Sequence, residues 1–165
     1  MRLIVHDLSE EAFSALGLPD SDTAVIAANG KYAPCAGCYK CWAKTPGVCR
    51  IRDGLQHAGA LFGKAGEVII ISENWYGGYS ADVKNVFDRS ISISLPFFTY
   101  RGGKLHHRRR YGNVCDMKVY LYGDATEAEK ETAAALVEAN RHNSGYRSTE
   151  VHFVDRPENI RGLFA

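Results

Sequence analysis

The chain has 165 residues, 45% of them hydrophobic, with 20 Lys and Arg against 19 Asp and Glu for a formal charge of +1. That length suits one domain with a buried core, and so balanced a charge gives no reason to expect nucleic acid or a membrane surface as a partner. The apolar run after Met1 is too short for a secretory signal or a membrane span, so a cytoplasmic single domain over residues 1–165 is expected.

In chain order, Arg2 to Val5 reads as a short strand. Ser9 caps a brief helix through Leu16 that Gly17 and Pro19 end. Asp22 to Ala28 is a second strand between the turn signals Pro19-Asp20 and Asn29-Gly30. Residues 34–49 carry Gly and Pro breakers without a period and are expected as a loop. Asp53 to Lys64 repeats Leu55, Ala58, Leu61 and Phe62 at helical spacing. The unbroken run Val68-Ile69-Ile70-Ile71 within Glu67 to Ser72 suits a central parallel strand covered on both faces. Ser80 caps a helix burying Val83, Val86 and Phe87. Residues 91–113 are long, irregular, aromatic and basic. Met117 to Tyr122 is a strand. Thr126 with Glu129 forms a capping box for a helix to about Arg141, Thr149 to Val154 is a last strand, and Pro157 opens a tail. Strands alternating with helices imply an α/β domain with a five-stranded parallel sheet. Ligands of such sheets bind beyond the carboxyl ends of the strands, here the loops after residues 6, 28, 72 and 123.

Of five cysteines, Cys35, Cys38, Cys41 and Cys49 cluster in one loop, while Cys115 reads as a small buried hydrophobe. Three thiols spaced by two residues, with a fourth downstream, form the ligand pattern of a four-iron (4Fe-4S) cluster. Structural zinc, redox-active thiols and plain packing cysteines are the alternatives.

The run Pro34-Cys35-Ala36-Gly37-Cys38-Tyr39-Lys40-Cys41-Trp42, with Pro46-Gly47, Cys49 and Asp53, resembles the cysteine loop of flavodoxin-like NAD(P)H-dependent FMN reductases and iron–sulfur flavoproteins. The segment 73–80, followed by Lys84, Asp88 and Arg89, resembles the strand–loop–helix on which those families hold a flavin ring. Asn74 stands where they usually have proline. Glycines let backbone approach a flat ring, and aromatics stack on it. His106-His107-Arg108-Arg109-Arg110-Tyr111 resembles a basic segment of the same families, suited to phosphate or a reduced flavin. The likeness runs from about Thr23 to Gly123.

It breaks after the first strand. Relatives with bound FMN carry a Gly-Ser-Pro-Arg-like loop for the phosphate, whereas this chain has His6-Asp7-Leu8-Ser9-Glu10-Glu11. The resemblance implies a flavodoxin-like three-layer fold and an FMN-dependent oxidoreductase passing electrons from NAD(P)H to a quinone, flavin or metal centre. Cofactor contacts are expected from Ser9, Asn74, Trp75, Tyr76, Gly77, Gly78, Tyr79, Ser80, Arg109 and Arg110, and metal contacts from Cys35, Cys38, Cys41 and Cys49. It further implies a homodimer or higher oligomer, with Lys84, Asp88 and Arg89 fixing helix and dimer contacts and the aromatic stretch 91–100 supporting association. The alternative is a flavodoxin-like subunit that has lost FMN and serves as a partner or cluster-only relay. No hydrolase triad or Walker loop is present.

Overall fold

The computed structural model describes residues 1–18 and 21–163, so the Pro19-Asp20 turn lies outside the described residues. The elements run β1 (Arg2–His6), α1 (Glu10–Leu16), β2 (Thr23–Ala27), α2 (Lys40–Ala43), α3 (Ala58–Lys64), β3 (Glu67–Glu73), α4 (Ala81–Arg89), β4 (Ser94–Arg101), β5 (Lys104–Arg109), β6 (Asp116–Tyr122), α5 (Glu127–Ser144) and β7 (Thr149–Val154), with 3-10 turns at Ile91–Ile93 and Pro157–Leu163.

Five parallel strands pair in the order β2-β1-β3-β6-β7. Alternation sends Leu3, Val5, Val68, Ile70, Val119 and Leu121 to one face, against α3, α4 and α5. Ile4, Ile69, Ile71 and Tyr120 go to the other, against α1 and the final 3-10 turn. Helices on both faces explain why the β3 run needs no polar alternation. The result is the doubly wound, three-layer flavodoxin-like sandwich. Its order reverses between β1 and β3, which opens a crevice at their carboxyl ends.

Two expectations are corrected. Residues 91–113 are not irregular: β4 and β5 form an antiparallel hairpin over Gly102-Gly103, both at positive φ as a tight two-residue turn demands. The helix expected from Asp53 begins at Ala58. The Asp53 carboxylate instead holds a turn, accepting from the Leu55 N–H at 3.0 Å and the Ala33 N–H at 3.2 Å. The capping box at Thr126 and Glu129 forms as read, and Ser9 and Ser80 cap their helices. Among the described residues, no helix is long and apolar enough to cross a membrane.

Candidate functional site

At the switch point, Asp7 follows directly on β1. Its Oδ2 accepts from the Ser72 hydroxyl at 3.2 Å and the Glu73 N–H at 3.0 Å, and its Oδ1 accepts from the Tyr122 hydroxyl at 3.0 Å. Burial and the Asp7 charge push the Tyr122 phenol well above its ordinary value, so it stays a donor. The Ser80 N–H donates to Ser72 Oγ at 2.9 Å and ties α4 into this network. One signal for it was visible beforehand, an acid where a phosphate loop belongs. The partners Ser72 and Tyr122 were not, because only the parallel register brings three strand ends together.

Next along the rim, Trp75 and Gly78 exchange backbone hydrogen bonds at 3.0 and 2.8 Å around Tyr76 and Gly77, both at positive φ. This is a two-residue hairpin turn with a bulky residue at a position that favours Asn or Gly. Tyr76 is 87% exposed and Trp75 48%, so the turn offers two aromatic faces, while Gly77 beneath them is buried. Gly77 is required twice over, since a Cβ there would stand 2.5 Å from the Glu129 carbonyl oxygen. Asn74 braces the turn. Its Oδ1 accepts from the Gly77 N–H at 3.0 Å and its Nδ2 donates to the Asp124 carbonyl at 2.7 Å.

The remaining cofactor residues expected from sequence are engaged elsewhere. Tyr79 is buried, stacks on Phe87 and accepts from Asn140 at 2.9 Å, and Ser80 is buried as the α4 cap. Ser9 is taken by the Ala12 N–H. Arg109 donates to the carbonyls of Gly145 and Asn113, and Arg110 to that of Ser92. Gly145 and Asn113 sit by the amino ends of the strands, so Arg109 lies at the far end of the sheet from the Trp75–Gly78 turn, while Arg110 sits against Ser92 and Gly47. The structure does not gather them into one site.

The cysteine loop is locked to the end of α4. Arg89, 2% exposed, donates to both Asp53 oxygens at 2.6 and 2.8 Å and to the carbonyls of Ala33 and Ile51. The Arg89 interaction holds the Asp53 carboxyl below its ordinary value. Lys84 pairs with Asp88 on the same helix. Cys35, Cys38, Cys41 and Cys49 all line one small cavity of about 30 Å³ with Arg89. Burial, then the neighbouring thiols, raise the Cys41 pKa, and burial raises that of Cys115 to about 11. All five are free thiols. Among the described residues no group of three or more His, Cys, Asp or Glu is arranged to hold a metal ion. The expected ligand set thus faces one cavity without closing on an ion. The thiol chemistry suits a cluster; the arrangement of the four side chains does not.

A groove of about 980 Å³ joins the two regions, from Gly78 and Tyr79 along Lys84 and Phe87 to Cys35 and Gly37, under the β4–β5 hairpin. That is room for a small organic ligand. His106 lines the groove with its Nε2 buried and unpartnered, a feature that sequence reading placed only in a basic segment.

No protein-family model matches the chain. An iron–sulfur flavoprotein of Methanocaldococcus jannaschii is 32% identical over 91 residues, which are 54% of this chain and 46% of that protein. The match thus spans about half the length of the relative. An FMN-dependent NADH-azoreductase from Bacillus anthracis, solved in complex with FMN, superposes with a TM-score of 0.57 at 13% identity over 98% of this chain and 92% of its own. An NAD(P)H:quinone oxidoreductase from Methanothermobacter marburgensis does so at 0.57 and 14%, over 99% and 94%. At such identities the structural likeness is one of fold. The structural likeness bears out the flavodoxin-like α/β fold, and the partial sequence match is to an iron–sulfur flavoprotein: this chain is a flavodoxin-like α/β protein.

Proposed function

We propose that the chain is a flavin-dependent oxidoreductase that passes electrons from NAD(P)H to a small acceptor such as a quinone, another flavin or a metal centre. The observation that carries this reading is the Trp75–Gly78 turn, which presents two exposed aromatic rings at the ligand edge of the sheet. FMN, when bound, exchanges a hydride for single electrons. The ring portion fits the turn. The phosphate does not fit the switch point, where Asp7 holds the donors. Trp75, Tyr76 and Gly78 are the ring contacts in this reading, with Gly77 holding the turn against α5. The large groove receives the acceptor. The protein is cytoplasmic in this reading.

A second reading, a subunit without its own FMN that serves a partner or relays electrons through a cluster, is favoured specifically by that filled switch point. One preparation separates the two. The protein is purified without oxygen, its iron and sulfide are measured, and flavin is titrated while the visible spectrum and NADH or NADPH oxidation are followed. Saturable flavin binding with quinone-dependent NAD(P)H oxidation is expected. A colourless, metal-free protein that binds no flavin at high micromolar concentration would overturn the enzyme reading, and iron with sulfide but no flavin would leave the relay.

A further inference from the structure

The crevice between β1 and β3 is where this topology receives ligands, and an anion seated there needs free N–H and O–H donors. In this chain three donors from the ends of β3 and β6 converge on the chain's own carboxylate. The Ser72 hydroxyl (3.2 Å, shared with the Glu73 carbonyl at 3.0 Å), the Glu73 N–H (3.0 Å) and the Tyr122 hydroxyl (3.0 Å) all point at Asp7. Ser9, the one hydroxyl of the following loop, is bound to the Ala12 N–H at 3.2 Å, and Glu10 and Glu11 stand exposed beside it. A phosphate dianion arriving there would find the β3 and β6 donors taken by Asp7, and the acids Glu10 and Glu11 opening the next helix.

We infer that Asp7 is a specificity-determining residue. Its carboxylate takes the place of a ligand phosphate, so the rim accepts a flat ring ligand with an uncharged tail, of the riboflavin class, and gains nothing from a phosphate monoester. This rests on the flavin reading proposed above and narrows its ligand class. Like-charge exclusion supplies the selectivity, and the three hydrogen bonds keep the excluding charge in position.

The test titrates wild type, Asp7→Ser and Asp7→Asn with riboflavin and with FMN by flavin fluorescence. It also follows each protein's melting temperature with inorganic phosphate against sodium chloride of equal ionic strength. The asparagine variant keeps the side-chain shape should the serine variant fail to fold. Wild type should bind FMN no more tightly than riboflavin. Removing the charge should shift the ratio toward FMN by tenfold or more. A tenfold wild-type preference for FMN, or a ratio unchanged by both substitutions, would overturn the inference while leaving the flavin reading intact. If wild type binds neither flavin, the flavin reading fails, and the phosphate arm decides on Asp7. Stabilisation by phosphate in a variant but not in wild type supports the inference, and its absence from both variants refutes it.

Discussion

Arg89 is tolerated in the interior because Asp53 and two carbonyls answer its guanidinium, and that same fork pins the cysteine loop to α4. Removing the acid leaves a buried, unpaired cation. Asp53→Asn should therefore cost about 3 kcal/mol in urea unfolding, measured at neutral pH. The Asp53 pKa is depressed in the fold, so its contribution is complete above the ordinary carboxylate range, near pH 4, and is lost as pH falls through the depressed value. His6 acts in a separate window. It is 3% exposed, stacked on Phe13 at 3.8 Å with Nδ1 unpartnered, and burial lowers its pKa despite the Asp7 charge. The unfolded chain takes up that proton near pH 6.5 and the fold resists it, so stability is present above that pH and declines below it. His6→Asn should flatten the stability profile between about pH 7 and pH 5. Among the thiols, Cys35 and Cys38 are exposed while Cys41 is buried with a raised pKa. Timed alkylation read by mass spectrometry should therefore label Cys35 and Cys38 before Cys41.

At the scale of elements, the rim turn and α5 are built as one unit. Gly77 lies at φ 80° against the Glu129 carbonyl and the Thr132 side chain, in the first two turns of that helix. Gly77→Ala forces both a disfavoured backbone angle and a collision. It should cost about 2 kcal/mol in thermal or urea unfolding and weaken any flavin binding with it. The helix itself was legible beforehand, because Thr126 and Glu129 stand at capping-box spacing; it runs past the expected end near Arg141 to Ser144, where Gly145 closes it at φ 71°. The β4–β5 hairpin was not recognised, although Gly102-Gly103 between two runs is a recognised turn signal. Its strands carry mixed exposure on both faces, so the alternation that marks a half-buried strand is missing.

For the molecule as a whole, the hairpin carries Phe97, Phe98 and Tyr100 at 62%, 59% and 76% exposure, beside the large groove. Clustered aromatics in water mark an association surface. Light scattering should find a dimer or larger oligomer in wild type, and Phe97→Ser with Phe98→Ser should shift it toward monomer. A monomeric wild type would refute this.

The α/β class, the buried central strand and the helix caps all follow from local patterns, because hydrophobic period and capping chemistry act over a few residues, while the break at the phosphate loop follows from the resemblance. Which side chains meet does not follow from such patterns. Asp7 with Ser72 and Tyr122, and Asp53 with Arg89, are joined across long loops by parallel register and helix packing. The same geometry carried Arg109 to the other end of the sheet and Arg110 against Ser92. Spacing along the chain says which groups are available, and only the closing of strands and helices sets their distances.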